Sequence, residues 1–166
     1  MSIDSISTTW QDYPNNSDLS LIVFFNGCEL GCNNCQNKTT LKNDKKDLFN
    51  KDKFNIILKE ELNKYKTNKL VLSGGDPLYK DNIEITRQIL ESNLNIDICV
   101  YTGYDIEYVK SNNIVGAKFY KCGFYDDNNR DYLSGKTNEY LRLASTNQRI
   151  YNYNYELVSK NNIYYF

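Results

Sequence analysis

The sequence predicts an α/β domain, an incomplete β/α barrel of about five parallel strands, and three observations lead there. Apolar runs of strand length alternate with segments of helical period, the pattern of βαβ units and a parallel sheet. Several of the strand-like runs close on a turn rich in glycine or cysteine, at the end of the sheet where ligands gather. The length, 166 residues, fits one domain and falls short of the ~250 residues of a complete eight-unit barrel. No internal repeat and no domain boundary is visible.

Leu19 to Phe25 is a continuous apolar run, as expected for a strand buried on both faces. A charged connector, Lys42 to Lys53, follows the cysteine-rich turn and reads as exposed. Phe54, Ile57, Leu58, Leu62 and Tyr65 recur at helical spacing and predict an amphipathic helix over Asp52 to Lys66. Lys69 to Ser73 is a second strand, ending in Gly74-Gly75. Ile85, Ile89 and Leu90 supply the apolar side of a helix near Asn82 to Ser92. Ile96 to Thr102 is a third strand, closed by Gly103, and Asp105 to Ser111 a short helix. Ala117 to Lys121 reads as a fourth strand before Gly123. Asp126 to Lys136 is a polar loop by composition, and Glu139 to Ala144 another strand. The tail, Tyr151 to Phe166, either turns as a hairpin at Asn161-Asn162 or lays its aromatics over the sheet or a partner surface.

Composition narrows the function classes. The formal net charge is −1 with charges well mixed, so no basic patch invites nucleic acid. Met1 to Gln11 lacks the charged-then-apolar pattern of a signal peptide. No apolar run approaches the ~20 residues of a membrane span. Five cysteines, an odd number, without an export signal argue for a reducing cytoplasm rather than a disulfide framework.

Three of those cysteines fall in one turn as Cys28-x3-Cys32-x2-Cys35. Three thiolates together hold a soft metal centre, zinc or an iron–sulfur cluster. A structural zinc wants four closed ligands, and the chain contains no histidine. A [4Fe–4S] cube on three cysteines keeps one iron open to a ligand. The motif resembles the signature of the radical S-adenosylmethionine (SAM) family, in which SAM chelates that iron. On the residues alone, two non-catalytic readings stay open. One is a zinc-stabilised binding module; the other is an iron–sulfur electron carrier, whose fourth ligand would be Cys99 or Cys122.

Ser73-Gly-Gly-Asp-Pro-Leu78 is the second informative stretch. Gly-Gly turns the chain, and Asp76-Pro77 reads as an N-cap with proline in the first turn. The same residues lack side chains where backbone approaches a ligand, with Asp76 as an anionic acceptor for an ammonium. The stretch resembles the Gly-Gly-Glu/Asp motif that holds the SAM amino group. The longer match, with Tyr101-Thr102-Gly103-Tyr104 and Ser145-Thr146-Asn147-Gln148-Arg149, resembles the activases of anaerobic ribonucleotide reductases. Taken alone, these last two stretches read as a strand-ending turn and a polar loop.

The resemblance spans about residues 19–149 and leaves 150–166 as a tail without an assigned role. It implies a single domain of the radical SAM type, with Cys28, Cys32 and Cys35 on the cluster. Gly74, Gly75, Asp76, Thr102, Asn34 and Gln36 are the implied SAM contacts. It also implies a one-electron reductant such as flavodoxin or ferredoxin, cleavage of SAM to a 5′-deoxyadenosyl radical, and a glycyl radical made on the reductase. Another glycyl radical enzyme, or a small molecule, is the alternative substrate. The absence of histidine fits chemistry that needs no general base near neutral pH. Departures are equally specific. Tyr13-Pro14-Asn15-Asn16 does not match the loop before the activases' first strand. Asn34 and Gln36 flank Cys35 where an aromatic is usual, and Arg142 sits at a shifted spacing from the closing motif. Cys99, in an apolar run, is expected in the core; Cys122 faces either the site or the interior.

Overall fold

The computed structural model describes residues 3–15, 19–42, 49–92 and 94–166. The connector residues 43–48 and Asn16 lie outside them. The strands are β1 (Ile3–Thr9), β2 (Ser20–Phe25), β3 (Lys69–Gly74), β4 (Asp97–Tyr101), β5 (Phe119–Cys122), β6 (Gly135–Lys136), β7 (Tyr140–Arg142), β8 (Arg149–Asn152) and β9 (Ile163–Tyr165). The helices are α1 (Lys51–Tyr65), α2 (Ile83–Leu90) and α3 (Ile106–Ser111).

A six-stranded sheet runs β1-β2-β3-β4-β5-β8, and β6-β7-β9 form a small second sheet. Its middle is parallel: β2, β3, β4 and β5 pair in chain order. These four parallel strands stand where about five were expected; the next position is taken by β8, antiparallel to β5. Two of the helices carry a side-chain cap at their start. Asn50 caps α1 by accepting from the Lys53 amide, and Lys66 ends it in the left-handed region at φ +51°. Phe54, Leu58 and Leu62, four residues apart, are its buried side. Asp105 caps α3 by accepting from the Tyr108 amide.

The sheet has two different faces. Leu21, Val23, Leu70, Leu72, Val100 and Tyr120 share one core with the buried residues of all three helices. Ile22, Val71 and Cys99 point the other way and pack under the buried Tyr13, with Phe24, Tyr101 and Phe119 beside them. The helices therefore cover one face, and the segment after β1 covers part of the other.

The ends of the chain depart from expectation. β1 was not anticipated, because Ile-Asp-Ser-Ile-Ser-Thr-Thr carries little apolar signal; it is an edge strand that buries only Ile3 fully. The tail does turn at Asn161-Asn162, where Lys160 bridges Ile163 and Asn161 takes φ +54°. Its strands do not pair with each other, however: β8 closes the edge of the main sheet and β9 joins β7. No helix among the described residues is long and apolar enough to cross a membrane.

Candidate functional site

At the carboxyl end of β2 the chain enters the cysteine turn through buried Asn26 and Gly27, the latter at φ +92°. The turn is anchored at its root, where the Gly27 amide donates to the Thr40 carbonyl at 2.7 Å and the Cys28 amide to that of Leu41 at 3.2 Å. Cys28, Cys32 and Cys35 are free, half-buried thiols. All three line one cavity of about 470 Å³, together with Gln36, Gly74, Gly75, Asp76, Thr102, Lys121 and Arg142. The three strand-end stretches singled out in the sequence thus meet around one space. Asn34 does not line it; its side chain turns away and donates to the Asp127 carboxylate at 2.8 Å.

Gly74 and Gly75 serve close packing of backbone on backbone. A Cβ on Gly74, which sits at φ +106°, would lie 2.3 Å from the Phe25 nitrogen; one on Gly75 would lie 2.4 Å from the Gly27 carbonyl oxygen. The Gly75 amide donates to the Phe25 carbonyl at 2.7 Å and the Asp76 amide to that of Gly27 at 2.9 Å. The double glycine therefore locks the β3 turn against the root of the cysteine turn. Asn37, not anticipated from the sequence, adds a tie by donating to the Gly74 carbonyl at 2.9 Å.

Asp76 is 2% exposed. Its carboxylate accepts from the Leu78 amide at 2.8 Å, the Thr102 hydroxyl at 2.9 Å and the Gly103 amide at 2.8 Å. It caps the turn after β3, and it also joins that turn to the end of β4. Burial pushes its carboxyl up to about 6, although these hydrogen bonds and the Lys121 ammonium pull the other way. A carboxylate offers about four lone-pair sites, so three donors leave room for one more.

Other contacts hold the cysteine turn from the far side. The Tyr104 hydroxyl donates to Glu29 at 3.0 Å, and Tyr104 stacks on Tyr108 with ring centroids 4.0 Å apart. Leu30 lies against Gly103, where a Cβ would meet its Cδ1 at 2.2 Å. The closing motif builds the opposite wall: Gln148 donates to the Gly123 carbonyl at 3.2 Å and Asn147 to that of Phe124 at 3.0 Å. Arg142 contacts Asp131 at 3.4 Å, and its buried Nε has no partner. Cys99 is in the core, as expected, and Cys122 packs into the helix-side core; burial raises both thiols, Cys122 to about 12. Neither lines the cavity.

The donor set fits an iron–sulfur cluster. Burial pushes the Cys28 thiol up to about 11, and Asp76 and the two other thiols add to the rise. Such a thiol becomes a thiolate only with a cationic centre beside it. Among the described residues no three His, Cys, Asp or Glu side chains converge as on a single ion. A cubane takes each thiolate at a different iron, and the three thiols that line this cavity could supply one ligand to each of three irons.

This chain belongs to the family described as a 4Fe-4S single cluster domain, whose profile matches residues 18–151. A curated relative is the anaerobic ribonucleoside-triphosphate reductase-activating protein of Enterobacteria phage T4. It is 30% identical over 105 residues, covering 60% of this chain and 65% of that protein. No solved structure matches.

Proposed function

We propose that this chain is a radical SAM activase that generates the glycyl radical of an anaerobic ribonucleotide reductase. The observation that carries the reading is the shared cavity, with Cys28, Cys32 and Cys35 on one wall and Gly74, Gly75, Asp76, Thr102 and Gln36 beside them. Its volume, about 470 Å³, is in the range of sites for a molecule of SAM's size. The similarity to the phage activating protein supplies the partner. When bound, a [4Fe–4S] cluster and SAM supply reductive cleavage of the sulfonium to a 5′-deoxyadenosyl radical, which abstracts hydrogen from a glycine of the reductase.

The chain's own residues bind and orient. Cys28, Cys32 and Cys35 ligate three irons. Asp76 positions the two strand ends and offers its remaining lone pair to the SAM ammonium, with the Thr102 hydroxyl held beside it at 2.9 Å. Gln36 presents its amide from the cysteine turn. The exposed Tyr132 and Leu133, on the loop that also lines the cavity through Ser134 and Gly135, are where the reductase's glycine-bearing segment approaches. The electron comes from a flavodoxin- or ferredoxin-type reductant. In fold, we read the sheet as an incomplete β/α barrel of the radical SAM type, supported by four parallel strands in chain order with helices on one face.

Anaerobic iron–sulfur reconstitution followed by dithionite and SAM tests the reading, with 5′-deoxyadenosine as the product. Addition of the reductase then gives the doublet of a glycine Cα radical in electron paramagnetic resonance. Zinc uptake without iron would overturn the enzyme reading. SAM cleavage without a radical on the reductase would overturn the partner alone.

A further inference from the structure

Lys121 is an unusual residue on the floor of the cavity. It stands on β5, on the face opposite the helices, and is 9% exposed. Its ammonium donates to the Gly123 carbonyl at 3.2 Å and lies 5.5 Å from the centre of the Tyr101 ring. Among the described residues no carboxylate forms an ion pair with it; the nearby Asp76 carboxylate takes its hydrogen bonds from Leu78, Thr102 and Gly103. Lysine is rarely buried without a partner, since desolvating an ammonium is costly. Of the acidic groups that influence it, Asp76 and Cys32 line the same cavity. Burial lowers its pKa to about 8, which leaves it largely protonated at neutral pH.

We propose that Lys121 is a positioning residue that sets the reduction potential of the cluster, acting as a fixed buried cation beside the Cys32 side of the site. Reduction of [4Fe–4S]²⁺ to [4Fe–4S]⁺ adds one electron and breaks no bond. A fixed cation in a poorly solvated place favours the more negative form, so it raises the potential. It also offsets the negative charge that three thiolates bring into the cavity. The inference rests on the cysteine ligation proposed above and is independent of SAM and of the reductase.

The test uses the reconstituted full chain without SAM, reduced by dithionite, with the cluster followed by electron paramagnetic resonance. Lys121→Met keeps length and apolar bulk and removes the charge; Lys121→Arg keeps the charge; Lys59→Met removes an exposed charge on α1. Lys121→Met is expected to make reduction about ten-fold less favourable, a negative shift of ~59 mV for one electron. Lys121→Arg should retain most of the potential, and Lys59→Met should leave it unchanged. An unshifted potential in Lys121→Met, or an equal shift in Lys59→Met, overturns the proposal. If Lys121→Met folds by circular dichroism but takes up no iron, Lys121→Arg decides: a loaded arginine variant supports the need for charge, and an unloaded one overturns it. A wild-type chain that forms no cluster fails the ligation reading itself, before the lysine is at issue.

Discussion

Replacing Asp76 by alanine separates a bracing role from a purely ligand-binding one. The change strips the acceptor from two backbone amides, Leu78 and Gly103, each 2.8 Å from the carboxylate, and from the Thr102 hydroxyl. The hydroxyl can rotate, but the two amides keep their positions around a side chain that is 2% exposed. At ~1–3 kcal/mol for each of the two orphaned amides, the loss of stability at neutral pH is roughly 2–6 kcal/mol. Acidity adds a signature. The folded-state pKa, about 6, lies above the ordinary 3.8. The folded chain therefore binds this proton more tightly than the unfolded chain. Wild-type stability contributed by this group is greatest below pH 3.8 and declines as pH rises through 6, by an amount on the order of 3 kcal/mol. Alanine removes that slope, so the cost of Asp76→Ala should be larger at pH 5 than at pH 7.5. Urea unfolding of the cluster-free chain across this range measures both quantities. A variant as stable as wild type at every pH, yet unable to retain SAM, would refute the bracing argument and leave Asp76 as a ligand contact only.

Gly75→Ala places a Cβ 2.4 Å from the Gly27 carbonyl oxygen. Because Gly27 precedes Cys28, iron uptake as well as SAM cleavage should fall, with a stability loss of ~1–3 kcal/mol in thermal unfolding. Gly103→Ala clashes most closely with the tip of Leu30, at 2.2 Å, and comes within 3.3 Å of Phe124 Cα, so its defect in iron binding should be relieved in part by adding Leu30→Ala, a coupling that a double-mutant cycle reads directly. Alanine at Cys28, Cys32 or Cys35 should abolish the iron–sulfur absorbance, whereas Cys99→Ala and Cys122→Ala should keep about four irons per chain and lose only stability. Asn37→Ala removes the tie to the Gly74 carbonyl and should cost ~1 kcal/mol, with faster hydrogen exchange confined to the cysteine turn.

Strands β2, β3 and β4 were legible because each is a nearly unbroken apolar run between turn residues, the pattern of a strand buried on both faces. Helix α1 was legible for the same kind of reason, since Phe54, Ile57, Leu58, Leu62 and Tyr65 recur at steps of three and four that an alternating strand does not share. The cysteine triplet needed no fold at all, because eight consecutive residues carry its three sulfurs. By contrast, β1 is an exposed edge whose alternation is mostly polar, so it exists through its ladder with β2 and not through its own pattern.

What the sequence alone determined is therefore local: the order of the central strands and the helices between them, the three thiols, and the two glycines that let one turn press on another. Tertiary structure decided which of these meet. Only the parallel ladder brings the ends of β2, β3 and β4 side by side, so that Asp76 reaches Gly103, 27 residues away, and Asn37 reaches Gly74. Only the register of β5 aims Lys121 at the cavity while its neighbours Tyr120 and Cys122 enter the helix-side core. A strand sends successive side chains to opposite faces, and a shift by one residue would exchange them. That choice depends on every strand pairing at once, which is why no stretch of the chain records it by itself.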